Sequence, residues 1–508
     1  MPVVIGEPLT FDDVVAVAAG ERVELAADLA QRMGPARRIV EEVVETGRGV
    51  YGISTGLGDL ASVRIDPTES AKLQRDIVRS HATAVGPRLP TEVVRAMLLL
   101  RARTFAFGIS GVRYELVELL TGLLNAGIHP IVPSQGSLGA SGDLSPLAHL
   151  ALPLIGEGLV ERDGTVSDAV PALQDAGLEP LELSFKEGLA LVNGTEAMLA
   201  LGILVCVRAE QLARTADLTG AMTLEACLGT DRAFDERLIA LRKHPGAVPS
   251  ASNLRRLLAD SEIVASHRAS EHMVQDAYSL RCIPQVHGAY RDGLRYVRSM
   301  LEAELASAID NPTVMVDTNE VLSGGNFHGE ALGLALDHLG LCLTGFATIA
   351  ERRIARIIDA DLNNGLPAFL STDPGRRTGF MLTQYTAASL VSENRGLCFP
   401  ASSDSIPTSA GQEDHVSMGA TSARKAASIL ANTEHVIAIE ALNAAQGLDL
   451  RGPLQPGPGT AAARGAVRSV SEFLDEDRSL APDIAAARKL VADGSLTAAA
   501  EAAIGPLD

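Results

Sequence analysis

Apolar residues recur at helical spacing along most of this chain, and the interruptions are short and rich in glycine. Near the amino terminus Thr10 stands where it can cap a helix carrying Phe11, Val14, Val15 and Val17, and residues 37–46 continue in the same style. The spacing resumes over residues 70–78 and 91–107. Beyond Glu187 it lengthens. Leu332, Leu336, Leu339, Leu343, Phe346, Ile349, Ile354 and Ile357 mark a helix that is apolar on nearly every side until Glu351-Arg352-Arg353, which places it inside a bundle or between subunits. Residues 417–445 read similarly. The breaks fall at YGISTGLG (51–58), at the segment from Pro130 through the glycines of 136–142, which Pro146 ends at a helix start, and at 363–377 and 402–411. Strand signals are few, and no period of 20 to 50 residues appears, which argues against a solenoid. The expected fold is mainly α, a long-helix bundle with a smaller, loop-rich N-terminal domain. Its expected parts are residues 1–200, a central bundle over 201–450, and a helical tail over 451–508 that begins at GPLQPGPG.

Composition sharpens this picture. Of 508 residues 46% are apolar but only 3% aromatic, with no Trp, so the core is expected from Ala, Leu, Val and Ile, which suits close helix packing. A net charge of -20 argues against nucleic acid or an anionic membrane as partner. The longest uninterrupted apolar run, residues 197–207, is too short to span a bilayer. The start MPVVIGEP has no basic region followed by an apolar run, so a secretory signal is not expected and the chain reads as cytoplasmic. Five cysteines without CxxC spacing read as buried free thiols.

The most distinctive chemistry lies in GSLGASGDLSPLAH (136–149). Gly142 leaves an unhindered backbone nitrogen after Ser141, and a tight turn can press that nitrogen against the carbonyl carbon of Ala140. Ring closure, with loss of water from the ring and from the Ser141 side chain, would give a methylidene-imidazolone, an electrophile that no ordinary side chain supplies. A nucleophile elbow fits poorly, because Asp143 stands where Gly-x-Ser-x-Gly needs its second glycine. Neither a phosphate-binding loop of the Walker type nor an HExxH zinc pair is present.

In this context the stretch resembles the prosthetic-group loop of the aromatic amino acid ammonia-lyases and aminomutases. The similarity runs from Tyr51 to Gln412-Glu413-Asp414-His415, in the order the family shows. It implies that Ala140, Ser141 and Gly142 condense autocatalytically into 4-methylidene-imidazole-5-one (MIO), carried on the N-terminal domain, with no metal required. It implies that Tyr51 is the phenolate that removes a β-proton, and that Asn193, in LALVNGT, donates to the ring's oxygen. Arg281, in QDAYSLRCIPQ, matches the fork that grips the substrate carboxylate, and Tyr278 the group that supports base and ring. Gln275 would share one helical side with Tyr278 and Arg281. Phe327, in SGGNFHGE, matches a pocket aromatic.

Substrate choice rests on two more positions. His81, in RSHAT, occupies the site where histidine-specific relatives carry His, and Glu413, in GQEDHVSM, offers a carboxylate to a substrate imidazole. The resemblance therefore implies elimination of ammonia from L-histidine to give trans-urocanate, by a homotetramer whose sites each draw on three subunits. A histidine 2,3-aminomutase giving β-histidine would use the same residues. A tyrosine or phenylalanine lyase is disfavoured by His81 and Glu413, and a non-enzymatic helical scaffold would leave 140–142 as ordinary peptide. Leu57, Gly411 and His287 depart from the family pattern.

Overall fold

The structure, a computed structural model, describes residues 2–56, 63–140, 142–269 and 274–508. Ser141 and Leu57, both singled out above, lie outside the described residues. The chain is 60% helix and 7% strand, in keeping with the mainly α expectation. It divides into two compact units. Unit 1 comprises Met1–Leu204, Arg298–Asp337 and Pro400–Arg424, and unit 2 comprises Val205–Val297, His338–Phe399 and Lys425–Asp508. This division interleaves segments that the sequence reading sets out as three consecutive stretches.

In unit 1 the helix Thr91–Ala106 is buried from Val93 to its end, which takes three arginines out of water with it. Buried guanidinium groups must find acceptors. Arg95 donates to the carbonyls of Val17 and Leu124, and Arg103 to that of Leu305. Arg101 donates to the carbonyls of Asn193 and Ile309 and pairs with Glu196 at 3.1 Å. Thr10 caps the helix Phe11–Ala18 through a reciprocal box with Asp13, as its position suggests. The helix expected over 37–46 instead runs Leu29–Glu45 and contains Pro35. The apolar face of Leu29, Met33, Ala36, Ile39, Val40 and Val43 outweighs the one donor that proline removes. Among the described residues the short strands all fall in unit 1 and include His129–Pro130 paired with Leu159–Arg162, and Pro133–Gln135 paired with Val85–Arg88. Proline gives these segments almost no strand propensity, so only their partners define them.

Unit 2 packs Pro458–Arg468 along Ser495–Ile504 and Ala247–Leu257. Its interior holds a charge cluster. Asp217 accepts from Arg291 and Ser250 at 2.6 Å, His287 at 2.7 Å and Asn253 at 3.0 Å. Arg353 pairs with Glu440, which also accepts from the hydroxyls of Thr219 and Thr223. The helix Glu330–Ile358 is long and apolar enough to cross a membrane, yet Leu332, Leu336, Leu339, Leu343 and Phe346 are all fully buried within the protein. None of the five cysteines is in a disulfide: Cys206, Cys227 and Cys342 are buried, and Cys282 and Cys398 are partly exposed.

Candidate active site

Unit 1 contains a cavity of about 760 Å³. Tyr51, His81, Ala140, Asn193, Phe327 and Glu413, drawn from six separate stretches of sequence, all line it.

Each is placed by its local backbone. Tyr51 opens a turn in which Ser54 donates its amide to the Val50 carbonyl and its hydroxyl to the Arg48 carbonyl, while Gly52 takes φ +70°. Asn193 ends the helix Glu187–Val192, its amide bonded to the Leu189 carbonyl. His81 is the last residue of the helix Ser70–His81, and its Nδ1 lies 2.8 Å from the Ile77 carbonyl. A carbonyl only accepts, so Nδ1 carries the proton and the neutral ring keeps Nε2 as an acceptor. Phe327 follows a stretch held by Asn311, whose side-chain oxygen accepts from the Gly324 amide at 2.8 Å and the Ser323 hydroxyl at 3.2 Å. Glu413 accepts from the Thr408 hydroxyl at 2.7 Å.

The loop around 136–142 is fixed from both sides. The Met418 amide donates to the Leu138 carbonyl and the Ser417 hydroxyl to that of Gly139, while Ala140 packs with Val416 and Met418. On the other side the Asp143 amide donates to the Gly194 carbonyl at 2.5 Å. The fully buried Asp143 carboxylate accepts from the Met198 amide at 2.8 Å and the Ser137 hydroxyl at 2.9 Å. Burial pushes this carboxyl up to about 7, against the opposing effect of those two donors.

Two observations fit a closed ring at 140–142. Gly142 has φ +75°, and a Cβ there would stand 1.9 Å from the Gly194 carbonyl oxygen, so the position admits only glycine and its nitrogen stays unhindered. Asn193 is buried, and its Nδ2 donates one N–H to the Asn311 carbonyl at 2.8 Å, which leaves the second N–H of that nitrogen for an acceptor such as a ring oxygen. A buried amide left half satisfied beside Ala140 is a cradle for a further polar group. Among the described residues no cluster of three or more His, Cys, Asp or Glu suits a metal.

Gln275, Tyr278 and Arg281 belong to unit 2 and are not among the residues that line this cavity. The expected common helical side holds only for two of them. The helix begins at Tyr278, because Ala277 is extended, and Gln275 precedes it. The Arg281 guanidinium lies 4.7 Å over the Tyr278 ring, and Tyr278 is 72% exposed.

Sequence reasoning missed several lining groups: Asn311, His328, Gln412, Asp414 and His415. The rings of His328 and His415 stack with centroids 5.9 Å apart, and His328 Nε2 donates to the His415 carbonyl. Both stand beside residues that were singled out, so adjacency to Phe327 and Glu413 was the available signal. Of the departures, Gly411 has φ +87° with open space around a Cβ, so its left-handed backbone explains the glycine. His287 is buried in unit 2 against Asp217 and Phe346.

Comparison with known proteins gives a consistent result. The aromatic amino acid lyase family model matches residues 9–469. A histidine ammonia-lyase of Sorangium cellulosum is 50% identical over 99% of this chain and 100% of its own length. One of Gloeobacter violaceus is 51% identical over 99% and 98%. Among solved structures, a tyrosine aminomutase from Streptomyces globisporus superposes with TM-score 0.95 at 39% identity, covering 100% of both chains. The histidine ammonia-lyase of Trypanosoma cruzi gives 0.91 at 41% identity, covering 99% and 96%.

Proposed function

This chain belongs to the aromatic amino acid lyase family, and from that premise we propose that it is a histidine ammonia-lyase that converts L-histidine to trans-urocanate and ammonium. The observation that carries the reading is one cavity lined by both His81 and Glu413 together with Tyr51, Ala140 and Asn193. His81 Nε2 and the Glu413 carboxylate are acceptors for a ring that can donate, and a phenyl or phenol ring offers them nothing comparable on its apolar edge.

An MIO group formed from Ala140, Ser141 and Gly142 would supply an electrophile for the substrate α-amine. The rest falls to the chain's own side chains. Tyr51, as phenolate, takes the β-proton, and the carboxylate of Glu413 stabilises positive charge on the imidazole while that proton becomes acidic. Asn193, with one N–H already fixed on Asn311, would offer its other N–H to the ring's oxygen. Phe327, Leu144 and Leu189 give the cavity an apolar wall that limits water. Arg281 grips the substrate carboxylate bidentately, with Gln275 and Tyr278 beside it. In this reading those three come from another subunit of a homotetramer, and the enzyme is a soluble cytoplasmic one with no nucleic-acid or membrane partner.

One observation favours a second reading, a histidine 2,3-aminomutase: the tyrosine aminomutase structure matches this fold along the whole chain. Incubation with L-histidine separates the two. Growth of urocanate absorbance is expected, with β-histidine absent by chromatography. Dominant β-histidine overturns the lyase in favour of the aminomutase, and turnover of tyrosine in preference to histidine overturns both.

A further inference from the structure

We propose that Thr408 orients the Glu413 carboxylate and, through it, sets the cavity's preference for a substrate ring that donates hydrogen bonds; this rests on the reading of Glu413 as the imidazole's partner. Thr408 acts through Glu413, so it is a positioning residue.

Three features converge on it. The Thr408 hydroxyl donates to Glu413 Oε2 at 2.7 Å, the length of a charge-assisted bond. The two backbones also pair. The Thr408 amide donates to the Glu413 carbonyl at 2.9 Å, and the Glu413 amide to the Thr408 carbonyl at 3.2 Å. Between them the chain closes through Ser409, Ala410 and Gly411 at φ +51°, +53° and +87°, a left-handed run that ordinary L-residues adopt only at a cost. Ser409, Gln412 and Glu413 all face the cavity from this turn. The turn thus aims a long, flexible side chain at the ligand, and the threonine hydroxyl fixes the plane of its carboxylate. A ring N–H then meets an acceptor already oriented, so the ordering of that side chain is complete before substrate arrives.

Valine is the informative substitution. Thr408 is extended, at φ -130° and ψ 177°, a conformation valine favours, and Thr408→Val removes the hydroxyl while keeping shape and both main-chain bonds. The test uses the tetrameric holoenzyme and compares wild type, Thr408→Val, Thr408→Ser, Glu413→Gln and the Val/Gln double variant. With L-histidine, Thr408→Val is expected to raise KM about ten-fold with kcat nearly unchanged, and Thr408→Ser to restore KM. In the Glu413→Gln background the valine is expected to add less than about two-fold, because the partner it served is gone. The inference is overturned by an unchanged KM in Thr408→Val, by an equal loss with or without Glu413, or by parallel falls in kcat and melting midpoint that serine does not rescue. A wild-type chain that makes no urocanate overturns the functional reading and this inference together. An active wild type with a silent Thr408→Val overturns this inference alone.

Discussion

Asp143 in unit 1 and Asp217 in unit 2 are both fully buried, and the two units treat the same carboxylate in opposite ways. Asp143 sits beside the glycine-rich loop with neutral partners, the Ser137 hydroxyl and the Met198 amide, and burial carries it up to about 7. Burial acts on Asp217 in the same direction, but the Arg291 charge and the hydrogen bonds of His287 and Ser250 outweigh it and hold the carboxyl far below the usual range. The difference teaches what each region is built for. Beside the glycine-rich loop Asp143 is held by a hydroxyl and an amide, whereas Asp217 closes on the charge of Arg291. The two histidines also differ in their partners: His81 has Nδ1 on the Ile77 carbonyl and lines the cavity, while His287 is fully buried against Asp217.

If the loop beside Asp143 is for chemistry and the cluster around Asp217 for cohesion, the largest effect comes from the loop. Ser141→Ala is expected to lower turnover of L-histidine by at least about a thousand-fold while leaving the melting midpoint near wild type. Intact mass of the wild-type chain should be two waters below that of the translated sequence, and the variant should not show that deficit. Full activity in Ser141→Ala would break the contrast at its first term. Next in size, Asp217→Ala leaves Arg291 and His287 without their shared counter-charge in the interior of unit 2. Removing one member of such a buried group costs about 3–5 kcal/mol, measurable by denaturant unfolding. A loss below about 1 kcal/mol would show that the cluster is not what holds unit 2 together.

The sequence made the loop far more legible than the charge clusters. Glycines around a serine name a backbone conformation directly, and Gly142 at φ +75° against the Gly194 carbonyl is that conformation. Helical spacing likewise located Glu330–Ile358 and Thr91–Ala106 to within a few residues. By contrast, the partners of Asp217 lie 33 to 74 residues away, at separations with no periodic signature. The strands at His129–Pro130 and Pro133–Gln135 exist only through their pairing, against local propensity. Thr408 was invisible because its meaning depends on three consecutive left-handed residues, two of them not glycine. Gln275 was placed on a helix that starts only at Tyr278, since helical spacing cannot show where the first turn begins.

A third expectation probes specificity within unit 1. His81→Leu removes the cavity-lining ring whose Nδ1 is held by the Ile77 carbonyl. The loss expected is about a hundred-fold in kcat/KM for L-histidine, with the melting midpoint unmoved and discrimination against L-phenylalanine weakened. Steady-state rates on both amino acids check it. Unaltered discrimination would mean that the cavity reads the substrate ring elsewhere.

The smallest effect tests the two aspartates against each other through pH. Asp143, raised from an ordinary value of about 4 to about 7, favours the folded chain when protonated. Its contribution is complete at acid pH, below the unfolded value, and is lost as pH rises through 7, at no more than about 1.4 kcal/mol per pH unit. Asp217, depressed, contributes above the unfolded value and loses that contribution only as pH falls below about 4. Between pH 5 and 8, therefore, Asp143 titrates and Asp217 does not. Asp143→Asn keeps a neutral side chain of the same shape, with one oxygen for the Met198 amide. Its NH₂ can face the Ser137 oxygen once that hydroxyl turns to the Gly142 carbonyl, 3.4 Å away. Unfolding midpoints measured from pH 5 to 8 should fall for the wild type and be flatter for Asp143→Asn. Parallel profiles would show that Asp143 keeps its charge throughout, and that neutral donors alone suffice to hold a carboxylate ionised in this interior.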